Sequence, residues 1–169
     1  MSQSETPKSF PAYYNYYISL STGDLVNNMR KAHDTTQIIL SRISEEKASQ
    51  SYAPGKWTIK EIIQHLIDSE RIFAYRALRF ARADKTPLSG FEQDDYVAVS
   101  QANDRSMQSL MREYACVRDA SIALFEHFTP EMLQQTGTAN KTEATVESIG
   151  RVIVGHEIHH MDVIKSKYL

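Results

Sequence analysis

The sequence predicts an all-α fold, a four-helix bundle running up, down, down, up, and three observations predict it. Four long segments repeat apolar residues at three- and four-residue spacing, most of the 6 glycines and 5 prolines fall between those segments, and one connection is far longer than the others.

The segments lie at about 24–47, 58–82, 103–127 and 145–167. The second opens with Thr58-Ile59-Lys60-Glu61, a capping-box pattern in which Thr58 accepts from a free backbone N–H and Glu61 reaches back. Pro54-Gly55 just ahead of it is turn chemistry. The third segment starts at Asn103 or Ser106, both good caps, and stops before Thr129-Pro130. Thr145 is the expected cap of the fourth. Between the second and third segments lie about 20 residues, Ala83 to Ala102, whereas antiparallel helix neighbours are joined by about 2–8. That length predicts a long crossover leaving helices two and three parallel.

A chain of 169 residues fits one domain, 1–169, with a core that needs no staples. The single cysteine, Cys116, excludes an intrachain disulfide and suits a reducing compartment, so a cytoplasmic protein is expected. Met1 to Pro11 lack a basic stretch followed by an apolar one, and no apolar run approaches the ~18 residues of a membrane span. A formal charge of −2 with interspersed signs gives no footprint for phosphate backbones, which argues against nucleic acid as a partner. Ahead of the first helix, Phe10 to Ile18 is rich in tyrosine. It reads as an amphipathic lid over one end of the bundle with its hydroxyls wet, or as a surface that stacks a substrate.

In the fourth segment Ile149, Val152, Ile153, Val163 and Ile164 mark the inward face, and the same spacing carried through the gap lands on His156 and His160. These two sit one turn apart, about 40° from each other around the axis. A lone inward histidine is ordinarily a hydrogen-bonded core residue. Two at this spacing each need a buried partner, and a metal ion satisfies both. Helix two would run antiparallel to helix four, so a residue about seven positions into the former lies level with one about seven from the end of the latter; His65 and His160 meet that condition. His65 also shares its helix face with Ile62, Leu66, Ser69 and Phe73. His127 falls about 25 Å away by the same count and His33 about 10 Å. His159 lies off the centre of the stripe.

His156-Glu157-Ile158-His159-His160 also matches H-E-x-x-H, the zinc-peptidase helix. Such enzymes take a third ligand downstream, where this chain has Ser166 and ends at Leu169, and a helical bundle offers no edge strand for an extended peptide. Glu157 is therefore either an acid/base group beside the histidines or a solvated helix-face residue.

The stretch Tyr52-Ala53-Pro54-Gly55-Lys56-Trp57-Thr58-Ile59-Lys60-Glu61-Ile62-Ile63-Gln64-His65-Leu66, the continuation Glu70-Arg71-Ile72-Phe73-Ala74-Tyr75-Arg76, Ser89-Gly90-Phe91, and Gly155-His156-Glu157-Ile158-His159-His160 together resemble the DinB/YfiT-like superfamily, over essentially the whole chain. The resemblance implies a four-helix bundle with a divalent metal, zinc or nickel, on a histidine of helix two and two of helix four. Carried over position by position these are His65, His156 and His160. It further implies a homodimer and a small-molecule substrate. Some relatives are S-transferases using a low-molecular-weight thiol, one branch includes maleylpyruvate isomerase, and many are named as metal-dependent hydrolases.

Three neutral imidazoles leave an ion with open positions, which suits activation of water or of a thiol. The alternatives are a bundle that binds metal or a small ligand without turnover, and a purely structural domain. The cleft is expected at the bundle end near His65, where the Pro54-Gly55 loop, the C-terminal turn and the crossover would gather, with Ser69 or Asp68 orienting His65. Cys116, beside Ala115 and Val117, reads as a packing residue. Arg71, Arg76, Arg79 and Arg82 read as a solvated basic face, or as contacts for an anionic substrate.

Overall fold

The structure is a computed structural model that describes residues 12–169. Met1 to Pro11, including Phe10 and Pro11 of the tyrosine-rich segment, lie outside the described residues, as does the side chain of Tyr13.

Helix α1 spans Ala12–Ser19 and α2 spans Leu25–Leu40. Asp24 starts α2, its carboxylate accepting from Asn27 N at 2.7 Å. The first predicted helix stops early: the chain turns at Ser41, and Ser44 caps a separate turn, α3, Glu45–Ala48. Serines favour such breaks because their hydroxyls serve backbone groups that a continuous helix would otherwise use. Ile43 between them is buried and closes the base of the core.

Helix α4, Ile59–Ala81, begins with the expected capping box: Thr58 Oγ1 accepts from Glu61 N at 3.1 Å and Glu61 accepts from Thr58 N at 2.7 Å. The predicted crossover holds a short helix α5, Gln93–Val99, and a 3-10 turn, Ala102–Asp104. Of the two candidate caps for helix α6, Met107–Glu126, Ser106 does the capping. Asn103 instead reaches across to Glu61 and Thr58, tying the crossover to the start of α4. Helix α7, Pro130–Leu133, leads into a β-hairpin of β1, Thr136–Ala139, and β2, Thr142–Thr145. Thr145 then caps α8, Val146–Val163, as expected, and a final turn runs to Tyr168.

The hairpin departs from the all-α expectation. Its two-residue turn holds Asn140 and Lys141, both with positive φ, the backbone of a tight hairpin. The crossover joins it, since Leu88 N donates to Thr138 O and Asn140 N donates to Leu88 O, each at 2.9 Å. A Cβ on Gly137 would collide with the Phe80 ring, so glycine lets the hairpin lie flat on α4.

Four helices form the bundle: α4 packs against α6 and α8, and α2 packs against the same two. The core has two apolar clusters, one around Met29, Phe80, Phe125 and Val146, the other around Leu40, Ile63, Leu110 and Ile164. Arg118, fully buried, touches both through the Met29 carbonyl and the Tyr114 ring. The same periodicity corrects the reading of Cys116. The buried stripe of α6 is Met107, Leu110, Tyr114, Arg118, Ser121 and Phe125, which puts Cys116 on the outer face, exposed. Among the described residues no helix is long and apolar enough to cross a membrane.

Candidate metal centre

Helix α4 brings His65 to the meeting point and α8 brings His156 and His160. One ring nitrogen from each lies within 4.8 Å of the other two. His65 Nε2 and His160 Nε2 each stand 3.0 Å from His156 Nε2, with the rings steeply inclined to one another. A tetrahedral ion with bonds of about 2.0–2.1 Å to nitrogen separates its ligands by little more than that. The donor set fits such an ion for a second reason. His156 Nε2 has a single in-plane proton or lone pair, so it cannot satisfy both neighbours by ordinary hydrogen bonding.

Burial holds the rings neutral. It lowers the pKa of His65 from 6.5 to about 4 and that of His160 to about 3; His156 is pushed well down by burial and then by the adjoining imidazoles. The sign follows directly: the unfolded chain takes up protons below about pH 6.5 while the folded chain resists. Metal-free protein therefore loses stability as pH falls from about 6.5 toward 4, by on the order of 3 kcal/mol for His65 alone. Urea denaturation of chelator-treated protein at pH 7 and pH 5 checks this, and His65→Phe should reduce the dependence while leaving the share of His156 and His160.

The surroundings are mostly aromatic. Trp57 lies 4.9 Å from His65, and Tyr17 and Phe73 lie 5.3 Å and 6.3 Å from His156, measured between ring centroids. Ser69, fully buried, faces His65 Nδ1 at 3.4 Å, whereas Asp68 accepts from Gln64 Nε2. Of the two groups considered for orienting His65, Ser69 has the geometry. His159 contacts Tyr16 and Tyr17, His33 packs on Tyr114, and His127 is exposed at the end of α6, so none of the three joins the cluster.

Helix α1 closes one side of the site. A Cβ on Gly155 would collide with the Tyr17 carbonyl, so glycine beside His156 is what lets α1 approach. Gly155→Ala should push α1 off α8 and cost about 1–3 kcal/mol, as overpacking does. Urea denaturation reads the loss, and altered tyrosine near-UV dichroism reads the displaced rings.

The cleft beside the histidines measures about 430 Å³. Tyr14, Tyr17, Arg76, Phe91 and Asn140 line it together with His65 and His156. Phe91 to Asp94, in the segment between α4 and α6, line it too, but the other walls are α1 and the hairpin, and the Pro54-Gly55 loop is not among the lining residues. Arg76 corrects another expectation. It is buried rather than solvated, donates to Ser89 O at 2.9 Å, and sits 5.9 Å from the centroids of both Phe73 and Phe91. Arg71 and Arg79 are paired with Glu113 and Asp84, and Arg82 reaches Met132 Sδ.

Glu157 is the largest correction. It is neither solvated nor part of the cleft lining, but buried against α6. Tyr114 donates to one carboxylate oxygen and Arg118 Nη1 pairs with the other at 2.5 Å. Arg118 also makes two 2.8 Å bonds to Glu70 and one of 3.2 Å to the Met29 carbonyl, so a single guanidinium joins all four bundle helices. Arg118 was not foreseen, although a charged residue in phase with Leu110, Tyr114 and Phe125 was the available signal.

The sequence profile of the DinB superfamily matches residues 28–164. A protein of Oceanobacillus iheyensis whose name provisionally makes it a metal-dependent hydrolase is 24% identical over 128 residues, 75% of this chain and 73% of that one. Among solved structures, YfiT from Bacillus subtilis, titled a probable metal-dependent hydrolase with an unusual four-helix bundle topology, superposes with a TM-score of 0.71 at 16% identity, covering 98% of this chain and 90% of that one. The mycothiol-dependent maleylpyruvate isomerase superposes with a TM-score of 0.66 at 12% identity, covering 90% of this chain and 63% of that one. With its profile matched across all four bundle helices, the chain belongs to the DinB superfamily.

Proposed function

We propose that this chain is a metal-dependent enzyme for a small-molecule substrate, with one divalent ion, zinc or nickel, held by His65, His156 and His160. The observation that carries the reading is the convergence of three neutral imidazoles, two of which, His65 and His156, line a cleft of about 430 Å³. An ion bound there would supply a nucleophile at neutral pH, from water in a hydrolase or from a low-molecular-weight thiol in an S-transferase. Ser69 holds the His65 ring in place, the aromatic rings of Tyr17, Trp57 and Phe73 limit water around the donors, and burial keeps all three imidazoles uncharged.

The same reading takes residues 1–169 as one domain, cytoplasmic and a homodimer, with helices running up, down, down, up around a long crossover. Contact order along the helices supports that path. Glu61 and Gln64, early in α4, meet Asn103 and Arg105 just ahead of α6, while Glu70 and Arg71 further along meet Arg118 and Glu113 within it, so the two helices run in the same direction. Between α2 and α6 the numbers run oppositely, Met29 meeting Arg118 and His33 meeting Tyr114.

The test is to strip the purified protein with chelator, reload it with zinc or nickel, and assay ester hydrolysis and thiol addition to a model electrophile. The expected outcome is turnover that vanishes on chelation and returns on reloading. Stoichiometric metal binding without turnover would favour a binding module instead.

A further inference from the structure

A second, smaller pocket adjoins the cleft that holds the histidines. A pocket of about 30 Å³ lies between the hairpin and α8, walled by Phe73, Ala139, Ala144, Ile149 and Val152. Tyr14, Phe73 and Arg76 line both this pocket and the cleft that holds His65 and His156, so the two adjoin across those three side chains. Phe73 stands at the junction, its ring 6.3 Å from that of His156 on one side and forming the wall of the apolar pocket on the other. Thr142 also borders the pocket, with its hydroxyl donating to the Asn140 carbonyl of its own turn.

Two features of the hairpin set the size of this chamber. Gly137 pairs with Ala144 and Ala139 with Thr142 across the antiparallel ladder, so these four residues share one face. Phe80 fills the space over Gly137, whereas among the described residues no side chain fills the space over Ala139 and Ala144. Close-packed interiors leave few such openings. One water-sized atom needs roughly 10–15 Å³, so the chamber takes about two or three heavy atoms.

We propose that the substrate has two parts, a polar reacting group that meets the histidines and a short apolar group of two to three carbons that enters the chamber between the hairpin and α8, with Ala144 and Val152 setting the permitted length. This rests on the metal reading given above. The polar walls of the larger cleft, Arg76 and Asn140 among them, receive the rest of the molecule.

Straight-chain hydroxamates test it, because their head group binds a metal while the chain length varies. Calorimetry of nickel-loaded full-length protein with aceto-, propiono-, butyro-, hexano- and octanohydroxamate should show affinity rising about threefold to fourfold per methylene up to the butyro compound and falling thereafter. In Ala144→Leu the ratio of butyro- to acetohydroxamate affinity should collapse toward one. In Val152→Ala the optimum should move to a longer chain, a gain that misfolding cannot imitate. A flat series, a rise that continues to the octano compound, or an unchanged optimum in both variants overturns the proposal while leaving the metal reading intact. Failure of acetohydroxamate to bind the loaded protein overturns both.

Discussion

Arg118→Met should cost about 3–5 kcal/mol of folding stability, because it leaves the buried carboxylates of Glu70 and Glu157 without their common cation. That is a large share of the roughly 5–15 kcal/mol that holds a typical domain together. Lysine should recover little. The guanidinium uses Nε and Nη2 on Glu70 while Nη1 faces Met29 O and Glu157, and a single ammonium cannot span those directions. Replacing the whole set, Arg118→Met with Glu70→Leu and Glu157→Leu, should restore most of the loss, since a buried ion cluster often does no better than apolar residues of similar volume. Urea denaturation of the three variants reads these differences. A single variant as stable as the parent would show that the cluster contributes nothing to the fold.

His156→Ala should weaken zinc or nickel binding by more than about a hundredfold, beyond the 10–100-fold that loss of an outer supporting group costs. His156 Nε2 is the nitrogen within 3.0 Å of both partners, so its loss removes the centre of the cluster rather than one edge. His159→Ala, three residues further along α8, should change affinity little, because its ring faces Tyr16 and Tyr17. Competition against a chromogenic chelator measures both. The contrast matters because the two histidines belong to one short motif and differ only in helical phase.

Helical phase is also what made the site legible in the sequence. The apolar stripe of α8 pointed to His156 and His160, and levels counted along two helices pointed to His65, so the trio needed only the 1.5 Å rise and the 3.6-residue period. The capping box at Thr58 and the cap at Thr145 were equally local signals. Elsewhere long-range packing decided. The hairpin strands have four residues each, too short for an alternation to stand out, and they persist because Leu88 and Phe80 cover them. Glu157 read as an acid/base group or a solvated residue because sequence gives no sight of Arg118 and Tyr114 approaching from α6. Cys116 failed in the opposite way, since apolar neighbours in sequence outweighed the stripe that leaves it outside. Arg76 was grouped with three arginines that are paired at the surface or reach out to Met132, yet its phase on α4 carries it into the cleft.

The most direct measurement is anomalous diffraction at the metal edge from crystals of protein loaded with one equivalent of zinc or nickel. A single peak per chain is expected, about 2.0–2.1 Å from one nitrogen of each of His65, His156 and His160. A peak elsewhere, or none after loading, would contradict that placement.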